Sequence, residues 1–240
     1  MSSARAGKPL LRHGGPPLPA GGGSEIPWKS IFTRVRESLD PGSLPAVSEV
    51  ARRRPDPFQV LVSTMISLRT KDEVTAAASA RLLDRAPTPR AMASLEAAEI
   101  ARLIFPAGFY NTKARSLKAV AGILVRDHDS RVPSSMEELL RLPGVGRKTA
   151  NLVRNLAYGL DGICVDTHVH RIANRFGWVR TRSPGETEAA LERVLPRRFW
   201  IPINELLVAF GQQICTPLSP KCSACPVREH CRRVGVTRSR

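Results

Sequence analysis

Long hydrophobic runs are missing from this 240-residue sequence: no stretch approaches the roughly 18 to 20 uninterrupted apolar residues that a membrane span requires. Met1 to Pro27 holds no apolar run that could form a signal-peptide core. Crowded with glycine and proline, this segment reads as a flexible tail, and the same residues disfavour the amphipathic helix of a transit peptide. Alternating apolar and polar stretches and Asn-Gly hairpin turns are almost absent, and no internal repeat stands out. Acidic residues are also in short supply. Against 37 lysines and arginines stand 21 aspartates and glutamates, a formal charge of +16, and a folded protein that repels itself this strongly usually has a polyanion to bind. Nucleic acid is the first candidate. A solvated arginine-rich surface is the other reading.

What is present is enough apolar material, 42% of residues, for one large domain or two small ones with real cores. From Ile26 onward apolar residues recur at intervals of three and four, which predicts an all-α fold. A first helix is expected from about Pro27 to Leu39, followed by a linker from Asp40 to Pro57 that contains four prolines. An apolar helix near Phe58 to Leu68 breaks at Arg69 to Lys71, and the next is expected to be capped by the Asp72 carboxylate. Further helices are predicted near Thr88 to Ser94, Ala97 to Ile104, Thr112 to Asp127, Ser135 to Arg141, Arg147 to Tyr158, Thr167 to Phe176 and Pro184 to Val194. The last, Phe199 to Gln213, carries an interior Pro202 that should kink it or shift its start.

Four of the five cysteines fall in the last 26 residues: Cys215, Cys222, Cys225 and Cys231, spaced C-x6-C-x2-C-x5-C. The two-residue gap is too tight for an easy disulfide and natural for two ligands of one centre, so zinc and an iron–sulfur cluster both fit the spacing. Cys164, in the apolar run Ile163-Cys164-Val165, reads as a buried core thiol.

The segment Leu142-Pro-Gly-Val-Gly-Arg-Lys-Thr-Ala150 joins two predicted helices through a glycine turn. Gly144 and Gly146 allow close approach to a ligand, and free N–H groups at the start of the second helix suit a phosphate. An ordinary helix connection would need no more than Pro-Gly-x-Gly. Lys148 lies in the first turn of that helix, where the dipole disfavours a positive charge and so favours the neutral, nucleophilic amine. Asp166, in Val165-Asp166-Thr167-His168, stands where it would cap the next helix. The helix beginning at Lys148 advances about 17 Å by Gly159, and residues 160 to 166 can return about 20 Å if extended, so the two side chains can meet beside the turn. An amine, a carboxylate and an anion site suit chemistry at a sugar carbon.

LPGVGRKTA, the VDTH whose aspartate lies eighteen residues after the lysine, and the four-cysteine tail together resemble endonuclease III, a family of helix-hairpin-helix DNA glycosylases. The resemblance runs from roughly Ile26 to Cys231 and takes in SLRTKD and GFYNTKA. It implies an all-α, two-domain fold: a tail over residues 1–25, a six-helix barrel over 50–160, and a 4Fe-4S cluster domain built from 26–49 and 161–240. It further implies a monomeric, bifunctional base-excision enzyme acting on damaged double-stranded DNA, not on membranes, in the nucleoid-containing cytoplasm of a bacterium or the nucleus or mitochondrion of a eukaryote. Such an enzyme flips an oxidised pyrimidine into its cleft. Lys148 would attack C1′ and form a Schiff base, β-elimination would cut on the 3′ side, and Asp166 would activate the amine and stabilise the developing charge.

By the same resemblance Gly144, Gly146, Arg147, His168 and Lys221 would contact DNA, with Arg228 beside Lys221 on the cysteine loop. The chain departs from the family at two places. Arg69 stands where a glutamine fills the gap left by the flipped base, and Phe109 replaces an aliphatic wedge; guanidinium can bond base edges and phenyl can stack. His170 matches nothing in the family and reads as packing or surface. An adenine-specific relative would carry a glutamate on the Phe58–Leu68 helix and a further C-terminal domain, whereas Pro57 to Lys71 contains no carboxylate and the chain ends nine residues after Cys231. A non-catalytic DNA-binding or redox-sensing protein is the remaining alternative.

Overall fold

A computed structural model describes residues 26–40, 45–53 and 56–240. The glycine- and proline-rich start up to residue 25, read above as a tail, lies outside the described residues. Among those described there are helices and loops and no strand. The helices are α1 (Trp28–Glu37), α2 (Ala46–Arg53), α3 (Pro57–Ser67), α4 (Asp72–Arg85), α5 (Pro89–Ser94), α6 (Ala97–Ile104) and α7 (Tyr110–Asp127). Then follow α8 (Met136–Arg141), α9 (Arg147–Tyr158), α10 (Thr167–Phe176), α11 (Pro184–Val194) and α12 (Pro202–Gln213), with single 3-10 turns at Arg197–Phe199 and Arg228–His230.

Local chemistry accounts for most of the boundaries. Asp56, Thr88, Ser135 and Ser183 each accept a hydrogen bond from the third residue onward, capping α3, α5, α8 and α11. Pro57, Pro89, Pro184 and Pro202 occupy the first turns of their helices, where a missing N–H is harmless, so Pro202 sets the start of α12 and does not kink it. Two expectations fail. The proline-rich segment from Asp40 to Pro57 contains α2, because Pro45 and Pro55 flank the helix and leave its interior free of breakers. Asp72 is not a cap: Lys71 holds that position without a side-chain bond, and the Asp72 carboxylate accepts from Gln212 Nε2 at 3.0 Å.

Two cores form. The first gathers Phe58, Leu61, Met65 and Ile66 of α3 with Leu82, Met92, Ile100, Leu117, Leu124 and Val153, and α2 joins it through Val47 and Ala51. The second is built from α1, α10, α11 and α12 around Trp28, Phe32, Ile172, Phe176, Trp178, Leu191 and Phe210. The chain passes between them through an extended run whose residues alternate: Ile163 and Val165 enter the second core and Cys164 enters the first.

Trp178 is the hub of the second core. Its ring lies 4.8 Å from Trp28, 4.5 Å from Phe176 and 6.5 Å from Phe32, centroid to centroid, and its buried Nε1 has no partner among the described residues. Trp178→Ala should lower stability by about 3–5 kcal/mol. Trp178→Phe, which keeps a ring and removes the unpaired N–H, should cost well under that. Urea unfolding followed by far-ultraviolet circular dichroism separates the two.

Candidate active site and metal centre

Helices α8 and α9 meet at the turn Leu142–Gly146. Gly144 has φ +82°, a backbone state that L side chains rarely adopt, and an added Cβ would come within 3.3 Å of Ser116. Gly146 is the N-cap of α9; it supplies no side-chain cap, and a Cβ there would meet nothing within 4 Å. The positive end of α9 thus faces open space. Arg147, first in the helix, bonds the buried carboxylate of Glu188 on α11 at 2.6 Å while its side chain stays exposed, and this hydrogen bond and charge raise its pKa further. Lys148 follows, with 38% of its side chain exposed.

The return from α9 is held by amides. Asn151 Nδ2 donates to Ile163 O and to Glu188 Oε1, both at 3.1 Å, and Asn155 Nδ2 donates to Leu160 O at 2.8 Å and Gly162 O at 3.1 Å. Asn204 of α12 holds Cys164 O at 3.0 Å from the other side. Gly162 is required here, since its Cβ would lie 2.6 Å from Asn151 Oδ1. The run therefore delivers Asp166 to the N-terminus of α10, where its Oδ1 accepts from His168 N and Val169 N, each at 2.9 Å. Oδ2 stands 4.0 Å from Lys148 Nζ, and the Asp166 side chain is only 11% exposed. Lysine and aspartate, eighteen residues apart, face each other beside the hairpin turn.

His168 lies in the same wall. Burial lowers its pKa against the pull of Asp166, so its ring is neutral at pH 7, and Nδ1 accepts from Arg171 Nη2 at 3.2 Å. Gly211 of α12 makes room for this pair, because a Cβ would lie 2.4 Å from His168 Nδ1. His170 packs inward, with Nδ1 2.6 Å from Thr187 Oγ1. Arg69 and Phe109 lie on neighbouring loops, joined by the bond from Gly108 N to Thr70 Oγ1. Both are exposed, both have positive φ (53° and 58°), and the guanidinium carbon sits 5.5 Å from the phenyl centroid.

The four tail cysteines line one small pocket, together with Phe176, Phe210 and Ile214, and the exposed Lys221 stands at its rim. Arg175 bonds Cys215 Sγ at 3.4 Å, Thr216 O at 2.7 Å and Pro217 O at 2.5 Å, while Arg171 bonds Cys215 O at 2.9 Å. Burial and the charge of Arg175 lower the Arg171 pKa. Two adjacent cations turned onto a loop of sulfurs suit a centre carrying thiolates. Burial pushes the Cys231 thiol up to about 11 and raises Cys225 as well, so thiolate there calls for a metal's positive charge. Among the described residues no three His, Cys, Asp or Glu side chains are arranged to hold a single metal ion. Four soft donors spread around a cavity fit a cluster better than one tetrahedral zinc.

Sequence reasoning missed the second tier of this site. Glu188, Asn151, Asn155, Asn204, Arg171 and Arg175 orient the residues it named. Asn151 and Asn155, four apart on the buried face of α9, were a visible signal: polar side chains on an otherwise apolar stripe.

Residues 62–197 match the family described as HhH-GPD superfamily base excision DNA repair protein, and residues 215–231 match the iron–sulfur binding domain of endonuclease III. The second match runs from Cys215 to Cys231, and the cofactor of that domain is a 4Fe-4S cluster. The chain is 47% identical to endonuclease III of Thermotoga maritima over 189 residues, covering 76% of this chain and 89% of the relative. It is 46% identical over 190 residues to endonuclease III-like protein 1 of Bos taurus, covering 78% of this chain and 61% of the longer bovine protein. Its fold superimposes with a TM-score of 0.70 on a trapped endonuclease III–DNA covalent intermediate, at 30% identity, covering 84% of this chain and 96% of that one. Because these matches fall on the hairpin and on the cysteine loop whose geometry was found independently, the chain belongs to the HhH-GPD superfamily of base excision DNA repair proteins, in its endonuclease III family.

Proposed function

We propose that the protein is a bifunctional DNA glycosylase and AP lyase that removes oxidised pyrimidines from duplex DNA and then cuts 3′ to the abasic site. The observation that carries this reading is the placement of Lys148 Nζ 4.0 Å from Asp166 Oδ2 at the mouth of the hairpin. Asp166 takes a proton from the Lys148 ammonium, directly or through water, and the neutral amine attacks C1′ of the flipped nucleotide. The C1′–N bond breaks and the base leaves with the bonding pair, taking up, through water, the proton that Asp166 had accepted. The carboxylate so regenerated stabilises the positive charge that builds on the sugar. Ring opening gives a protonated Schiff base between Lys148 and C1′. Loss of a C2′ proton then expels the 3′ phosphate, and water releases the lysine. A monohydroxyl nucleophile held in this place could expel the base but could not form the imine.

Gly144 and Gly146 hold the DNA backbone at the open end of α9, His168 and Lys221 add contacts to the strand, and Arg69 with Phe109 enters the duplex where the base has left. Arg147 faces DNA with part of its guanidinium while Glu188 holds the rest. Cys215, Cys222, Cys225 and Cys231 hold the 4Fe-4S cluster, whose role when bound is to cross-link the loop that presents Lys221. The barrel, which α2 joins through Val47 and Ala51 so that its start lies before residue 50, and the cluster domain of α1 and residues 161–240 form the two walls of the cleft, and the enzyme works as a monomer on DNA and not at a membrane.

Borohydride should trap the wild-type protein on duplex DNA containing thymine glycol or an abasic site, and Lys148→Gln should give no adduct with either. Asp166→Asn keeps a good helix cap, so its thermal midpoint should stay close to wild type while trapping slows by about 10²–10³-fold. Binding of both duplexes with no adduct from the wild-type protein would support a non-catalytic DNA-binding module instead. Anaerobically purified protein should be coloured and hold iron and sulfide. Cys222→Ser should lose most of that iron, and a colourless protein with stoichiometric zinc would overturn the cluster assignment.

A further inference from the structure

Lys113 has no place in the chemistry above, yet it is one of the few buried charges in the molecule. It lies on the inward face of α7 in line with Leu117, Val120 and Leu124, and is 8% exposed. Among the described residues no carboxylate pairs with it. Its Nζ instead donates to Ile66 O at 2.5 Å, Leu68 O at 2.6 Å and Thr70 Oγ1 at 2.8 Å. Three acceptors match the three N–H groups of an ammonium, and two of them are carbonyls that α3 leaves unpaired at its negative end. Burial pulls the Lys113 pKa down to about 8, so the ammonium still dominates at pH 7.

These bonds sit under the two exposed side chains that face the duplex. Arg69 lies between Leu68 and Thr70, both held by Lys113. Thr70 Oγ1 also accepts from Gly108 N at 3.1 Å, and Gly108 lies so close that an added Cβ would be 2.4 Å from Arg69 O. Phe109 follows Gly108 directly and precedes the helix that carries Lys113. Arg69 and Phe109 are both in left-handed backbone states, which L-residues hold only when their surroundings over-determine them. Lys113 thus bonds the loop of the first through its ammonium, and through its backbone N–H it donates to the carbonyl of the second, Phe109 O, at 3.0 Å.

We propose that Lys113 is a positioning residue: its buried ammonium ties the C-terminus of α3 to the start of α7 and so locks Arg69 and Phe109 into one rigid probe on which duplex recognition depends. This rests on the reading of Arg69 and Phe109 as the residues that enter DNA. A single-stranded abasic oligonucleotide needs no such probe, because its sugar is already accessible.

The test uses the cluster-loaded protein and the variants Lys113→Met, Lys113→Arg and Thr70→Ala, with hydrogen exchange of residues 68–71 and 105–110 and single-turnover excision as readouts. Lys113→Met should speed exchange in both loops together and slow excision from duplex DNA by about 10- to 100-fold, while borohydride trapping on single-stranded abasic DNA stays within about twofold of wild type. Lys113→Arg, which can reach the same carbonyls, should recover much of the duplex activity. If Lys113→Met does not fold, Thr70→Ala, which breaks one acceptor and the Gly108 link, should show the same pattern more weakly. Equal losses on both substrates, or faster exchange in one loop alone, would overturn the lock. Loosened loops with unchanged duplex excision would also overturn it where Arg69→Ala and Phe109→Ala are impaired. If those two variants are unimpaired as well, the reading of them as a DNA probe fails and the mechanical coupling of the loops stands.

Discussion

Asp166 is fixed by the helix that it starts, and the geometry of the site follows from that one bond pattern. A carboxylate has two oxygens. Here Oδ1 is committed to the amides of His168 and Val169, so the plane of the group is set by backbone and Oδ2 is left turned toward Lys148. Capping bonds to a charged acceptor are among the stronger ones available to a side chain, and they are made without using the oxygen that faces Lys148. A glutamate could not do this, because its longer side chain cannot cap in the same way and would bring its free oxygen to another place.

That cap has value only if the chain arrives at it in register, and three asparagines see to this. Asn151, Asn155 and Asn204 bond carbonyls of the extended run between α9 and α10. The run belongs to no sheet, so these side chains replace the ladder its backbone lacks. They also leave its apolar side chains free to alternate between the two cores. From the middle and the far end of α10, Arg171 and Arg175 grip the loop of Cys215. One helix therefore carries the aspartate at its start and the anchor of the metal loop two turns later. Loss of order in the cysteine loop would reach the active site through α10 itself.

The parts of this arrangement that were legible in the sequence are those written over short spans. Glycine at the hairpin, serine and threonine caps, proline at helix starts and the cysteine spacing are local signals, and most helix limits followed from them. Lys148 and Asp166 could be brought together because one helix and one return segment are simple lengths. Pairings made by the tertiary fold were not legible. Arg147 was expected to contact DNA, and its bond to Glu188, 41 positions away, had no local signal; Asp72 looked like a cap because Gln212 is 140 positions away. Helix α2 was hidden by reading four prolines as a linker, when two of them flank it. Lys113 could have been found. A lysine in the row of Leu117, Val120 and Leu124 puts a charge on a buried face, and a buried charge needs partners.

These partners change what the charge of +16 means. Lys113, Arg171 and Arg175 spend their hydrogen bonds on carbonyls, a hydroxyl, an imidazole and sulfur inside the molecule, Arg81 bonds the carbonyls of Leu103 and Phe105, and Arg147 is shared with Glu188. Only Arg147 among them has an acidic partner in these bonds, so the others add to the long-range field that draws a polyanion in. They cannot all add to counterion release, which counts cations that reach a phosphate. Steering and grip are therefore different subsets of the same net charge. The arginines give the field its strength while their planar forks hold backbone together inside the fold.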